Sequence, residues 1–121
     1  MGSPPIYSYL RALVGTTFTK QSAEKVFLGV DFTDVLVDTD FMVAGSCSVT
    51  AIDLSTGLDA TATVLDGATK AVITNEDGVL AVLEEMVMAG TDNINYKITF
   101  KGVTNTAQTW ECDLTMRIRD I

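Results

Sequence analysis

The chain has 121 residues, enough for one domain that buries a core without staples. Its sixteen Asp and Glu against eight Lys and Arg give a net charge of -8, and only Arg117 and Arg119 lie close together. That excludes the clustered cations that grip a nucleic-acid backbone. With 47% hydrophobic residues a wholly disordered chain is excluded too, and the absence of histidine removes the commonest general base and metal ligand.

The two cysteines, Cys47 and Cys112, are too few for a disulfide framework. They are expected as buried free thiols, since free Cys behaves as a small hydrophobe. The opening Met1-Gly-Ser-Pro-Pro5 lacks the basic start and apolar run of a signal peptide, and position 6 is Ile, outside the myristoylation pattern. No segment is long enough to span a membrane. A chain made in the cytosol, with no membrane and no nucleic acid among its partners, is the expectation.

Taken in order, residues 1–22 read as an N-terminal arm. Pro4-Pro5 blocks regular structure, and residues 6–14 fit one short helix or an extended strand. Ile6, Tyr7, Tyr9, Leu10 and Leu13 give this arm an apolar surface, to be packed on its own domain or on a neighbour. They are the candidate assembly contacts. Residues 23–121 read as a β-sandwich domain. Between 24 and 32, Val26, Leu28 and Val30 alternate with Phe27, Gly29 and Asp31, which predicts a strand covered on both faces. Residues 34–40 are a polar turn region. Residues 41–54 read as one long strand with a bulge or bend at Gly45.

Ser55-Thr-Gly57 is a turn, residues 60–65 a further strand, and Asp66-Gly67 the turn that closes it. A short strand over 68–74 leads to the strong turn signal Asn75-Glu-Asp-Gly78. Residues 79–84 predict a strand continuing into an irregular or helical turn up to Gly90, because Ala, Leu, Glu and Met favour helix. The clearest pattern is the last. Tyr96, Ile98 and Phe100 alternate with polar residues, as do Trp110, Cys112, Leu114, Met116 and Ile118, with a short polar link over 103–107. One register of this hairpin puts Phe100 opposite Trp110 and Lys97 opposite Asp113; another puts Lys101 opposite Glu111. Both keep an apolar inner face. Phe41, Tyr96, Phe100 and Trp110 are all expected inside.

About seven short strands without strand–helix alternation predict an all-β fold, an immunoglobulin-like antiparallel β-sandwich with an N-terminal arm. Asp92-x-x-x-Tyr96-x-Ile98 resembles the corner that leads into the sixth strand of such sandwiches, where a tyrosine hydroxyl ties down the preceding loop. The disulfide-bonded antibody pattern is absent. Asp31, Asp34, Asp38 and Asp40, and then Asn75, Glu76 and Asp77, lack calcium-loop spacing and read as a solvated acidic edge. Ser46, Cys47 and Ser48 have nothing to activate them. Glu84 and Glu85 are adjacent, so on a strand they point opposite ways. No catalytic residue, cofactor or metal is expected.

Across residues 18–119 the chain resembles small sandwich proteins encoded among the head and head-tail genes of tailed bacteriophages and prophages. The resemblance runs through Phe18-x-Lys20, Asp31-Phe32, Thr50-Ala-x-Asp53-x-x-Thr56-Gly57, Ala89-Gly-Thr91, Tyr96-Lys-Ile-Thr-Phe100, Asn105-Thr106 and Glu111-x-Asp113-Leu-Thr-Met-Arg-Ile118. It implies a non-enzymatic virion component, made in the host bacterial cytoplasm. Its partners would be other virion proteins or copies of itself, in a homo-oligomer or bound to a lattice. A stand-alone sandwich that binds a glycan or a protein ligand is the alternative, and it would need an exposed aromatic platform.

Overall fold

The computed structural model describes residues 7–11 and 16–121, with side chains from Thr17 onward. Its strands are β1 (Tyr7–Arg11), β2 (Thr16–Lys20), β3 (Val26–Asp31), β4 (Ser48–Asp53), β5 (Leu65–Thr74), β6 (Leu80–Val87), β7 (Asn95–Val103) and β8 (Thr109–Ile118). A single-turn helix, α1 (Thr61–Val64), precedes β5. Two four-stranded sheets, in the orders β1-β3-β6-β5 and β2-β8-β7-β4, face each other. This is the Greek-key order of the immunoglobulin-like sandwich.

The described residues form eight strands because part of the segment expected as an arm supplies two five-residue edge strands, one to each sheet. β1 runs parallel to β3, from Tyr7↔Phe27 to Arg11↔Asp31, and β2 runs parallel to β8, from Thr16↔Leu114 to Lys20↔Ile118. The other ladders are antiparallel. Period-two alternation sends Leu28, Val30, Leu83, Val87, Ile98, Phe100, Leu114, Met116 and Ile118 into the space between the sheets, where each is buried. Removing such a side chain from water contributes about 1.5–3 kcal/mol. Cys47 and Cys112 are buried there as free thiols.

The β7–β8 register places Lys101 opposite Glu111 and Phe100 opposite Cys112. The turn fixes it. Thr104 and Gln108 close the loop through Thr104 N–H to Gln108 C=O at 2.9 Å, and Ala107 takes a left-handed φ of 65°. This register sets Trp110 opposite Gly102, where a Cβ would come within 2.8 Å of Met42 Sδ. Met42 already fills the interior at that point, so Trp110 is 38% exposed rather than inside. Phe41 is 40% exposed for a related reason: its neighbour Met42 takes the buried position.

Four local expectations are corrected. The long strand over 41–54 is strand only from Ser48, with Gly45 in a 3-10 turn over Ala44–Ser46 and Met42 in a lone bridge to Thr104. The chain must cross between sheets here: Met42 N–H donates to Leu80 C=O of one sheet and Val43 N–H to Val103 C=O of the other. Residues 61–64 are helical, their first turn closed on the Ala60 carbonyl and held to β4 by Thr61 Oγ1, which accepts Ala51 N–H at 3.0 Å. Asp66-Gly67 is a bulge inside β5, since the pairing jumps from Asp66↔Met86 to Ala71↔Glu84. Residues 80–87 are strand throughout. β6 is hydrogen-bonded on both sides, to β3 and β5, and this ladder outweighs the helix preference of its Ala, Leu, Glu and Met.

Candidate functional site

The loops gather at two ends of the sandwich. At the first, β2 and β8 finish and β7 begins. Lys20 is buried, and its ammonium donates to the carbonyls of Gln21 (2.8 Å), Glu24 (2.9 Å) and Ala89 (2.6 Å), with that of Ser22 farther off at 3.4 Å, so its three N–H bonds have acceptors to spare. Burial lowers its pKa, with Glu24 and Asp120 pulling the other way. Ala89 and Gly90 both adopt positive φ, and a Cβ on Gly90 would meet Ile118 at 2.8 Å. The buried Tyr96 hydroxyl accepts Thr91 N–H at 3.0 Å. Asp92 accepts Asp120 N–H at 2.9 Å, while the Asp120 carboxylate takes Ser22 N–H at 2.7 Å, which lowers its pKa. The two residues singled out as the structural corner thus act on neighbouring segments: Tyr96 on its own loop, Asp92 on the chain beyond β8.

The second end is formed by residues 32–47, 75–79 and 104–108, which join β3 to β4, β5 to β6 and β7 to β8. These loops carry Asp34, Asp38, Asp40, Glu76 and Asp77 and no Lys or Arg. They also carry or adjoin exposed Val37, Phe41, Leu80 and Trp110. Two clefts flank the β5–β6 turn. One, about 470 Å³, has Val82 and Ile73 in its lining beside Asp31, Asp34, Glu76 and Asp77. Its polar groups largely satisfy one another, with Asp31 Oδ1 accepting Thr33 N–H at 2.9 Å and Asn75 Nδ2 donating to Thr33 Oγ1 at 3.0 Å. The other, about 340 Å³, lies between residues 38–41 and 78–80 and is lined by Phe41, Val79 and Leu80 with Asp38 and Asp40. Phe41 is anchored behind it, its N–H donating to Asn105 Oδ1 and its carbonyl accepting Asn105 N–H, both at 3.0 Å.

Of the candidate assembly contacts, Ile6 and Leu13 lie outside the described residues. Tyr7, Tyr9 and Leu10 are placed by their backbone on the sheet-edge strand β1. Of Ser46, Cys47 and Ser48, the Cys47 thiol accepts Val103 N–H at 3.4 Å. Glu84 and Glu85 stand on opposite faces of β6. Glu85 lies 2.9 Å from Thr69 Oγ1, which also accepts Met86 N–H at 3.1 Å and so spans the β5 bulge. Burial raises the Glu85 pKa. Among the described residues no three of Asp, Glu and Cys are gathered as a metal-binding group, and no helix is long and apolar enough to cross a membrane. The sequence signal for the loop-end cleft is the Asp38-Thr-Asp-Phe41 stretch, whose aspartates read as part of a solvated acidic edge and whose Phe41 reads as the inward start of a strand. Compared with family models, with curated proteins and with solved structures, the chain matches none of them.

Proposed function

We propose that the protein is a structural, non-enzymatic component of a tailed-phage or prophage virion and works through protein–protein contacts at the capsid surface or the head-tail region. The observation that carries this reading is the loop end of the sandwich, where exposed Val37, Phe41, Leu80 and Trp110 stand among carboxylates. Large apolar side chains grouped on a surface mark sites of association. The phage context rests on the resemblance across residues 18–119. Strand β1, with Tyr7, Tyr9 and Leu10, is a second candidate contact, because an edge strand can pair with a neighbouring subunit. Contacts of that head-to-tail kind close into rings or cover a lattice.

The test is co-sedimentation with particles of the phage or prophage that encodes the chain, together with light scattering over a concentration series. Sedimentation with capsids or tails is expected. A chain that stays in the supernatant and remains monomeric at every concentration would rule the reading out. The second reading, a stand-alone module for a glycan or protein ligand, is favoured by the exposure of Phe41 and Trp110. Saturable glycan-array binding lost on Trp110→Ala would support it.

A further inference from the structure

We propose that the cleft between residues 38–41 and 78–80 is a docking site for an arginine carried beside an apolar side chain on a partner protein. Asp40 is the central observation. It is 6% exposed, its Oδ1 accepts the Thr106 hydroxyl at 3.3 Å, and its Oδ2 is the buried side-chain oxygen among the described residues with no hydrogen-bond partner. A buried carboxylate oxygen left unpaired is costly, and a cation with its own hydrogen-bond donors is the group that offsets that cost best.

Nothing in the loops of this end supplies such a cation, since they hold no Lys or Arg. Asp38, also in the cleft lining, adds charge of the same sign as Asp40. Beside Thr39 and Gly78 the remaining walls are apolar: Phe41, Val79 and Leu80, of which Phe41 and Leu80 are 40% and 39% exposed. Asp40 Oδ2 is shielded from solvent, so a cation reaches it only if side chains around it move aside. A fully hydrated ion gains little by doing so. A guanidinium gains a stacking contact with the Phe41 ring and brings its fork of donors to the carboxylate. An apolar neighbour on the same partner segment would cover Leu80 and Val79. A second copy of this chain is a poor occupant, because each copy carries a net charge of -8. The inference goes beyond the virion reading and does not need it.

The experiment is a titration of the ¹⁵N-labelled chain, followed by amide chemical shifts, with two peptide probes, acetyl-Leu-Arg-Leu-amide and acetyl-Leu-Gln-Leu-amide. The arginine peptide is expected to give saturable shifts concentrated at residues 38–41 and 78–80, and the glutamine peptide none. Asp40→Asn should weaken the arginine peptide roughly tenfold or more. Phe41→Ala, a change at an exposed ring, should weaken it by a smaller factor while leaving the rest of the spectrum in place. Equal shifts from both peptides, undiminished binding by Asp40→Asn, or shifts spread over every acidic residue would each overturn the proposal. So would concentration-dependent shifts at 38–41 without peptide, which would assign the cleft to a second copy. Carrying Asp40→Asn into the co-sedimentation assay keeps the two claims apart. If the wild-type chain stays in the supernatant and is monomeric at every concentration the virion reading fails, whereas sedimentation of both forms alike overturns only a role for this cleft in the particle.

Discussion

Where β2 stops and β7 starts, four backbone carbonyls share the Lys20 ammonium and the Tyr96 hydroxyl holds the loop before it. Where β3 stops and β6 starts, a carboxylate oxygen is buried without a partner, and Phe41, Leu80 and Trp110 face outward. Both ends are made of loops between the same two sheets. They differ in how their buried polar groups are satisfied, internally at one end and incompletely at the other. Native structures leave few such groups unpaired, and the exceptions mark places set aside for something other than stability. The closed end therefore ties its loops to the sandwich, whereas the open end leaves a buried polar group unsatisfied.

The comparison breaks most readily at Lys20. Lys20→Met keeps much of the stem but strips the donors from the carbonyls of Gln21, Glu24 and Ala89. A loss of about 3 kcal/mol is expected from urea unfolding. A loss below about 1 kcal/mol would mean that the closed end is not where stability is concentrated. Tyr96→Phe removes the hydroxyl that accepts Thr91 N–H, and about 1 kcal/mol should go with it, by the same measurement.

Glu85 sharpens the contrast because it belongs to neither end. Burial holds its carboxyl above the ordinary value of 4.5, against the Thr69 hydroxyl, Met86 N–H and the Lys70 ammonium, with Asp66 adding to the rise. Its contribution to stability is fully present below 4.5 and is lost as pH rises through the raised value. Glu85→Gln should therefore raise Tm by roughly 3 °C at neutral pH, and the two proteins should melt alike in acid below 4.5. A variant that melts lower at neutral pH would show that the charged form is favoured at the bulge. The smallest effect is expected at the open end. Ala107 sits at φ 65° in the β7–β8 turn, so Ala107→Gly should stabilise by about 0.5 kcal/mol, read from the urea midpoint.

The sandwich was legible in the sequence wherever one face of a strand is dry and the other wet. The β7–β8 hairpin is the clearest case, because its alternation runs the full length of both strands. Tyr96 was legible as well, since its place at the strand entrance is a local pattern. The segment over 79–89 was not. Its helix-forming residues lie in a strand bonded on both sides, and those bonds come from residues far away in the chain. Residues 61–64 misled in the opposite sense, their Thr and Val content suggesting a strand where one helical turn forms. Trp110 has the parity of an inward residue, yet the space it would enter is held by Met42. The open end was the least legible part. Whether Asp40 is buried depends on how residues 41–43 thread between β6 and β7, and no local pattern encodes that crossing.

The parallel pairing of β2 with β8 has a mechanical consequence. Thr16 and Ile118 lie at opposite ends of the ladder they share, so tension applied between them acts along the strands. The register pairs from Thr16↔Leu114 to Lys20↔Ile118 then take the load together in shear, whereas a hairpin pulled from its open end peels one pair at a time. Lys20 adds a bolt at the far end of that ladder, fastening β2 to the Ala89 carbonyl of the opposite sheet's outgoing chain. A chain pulled at these two points would yield late under force, with a lifetime governed by its unfolding rate and not by its equilibrium stability.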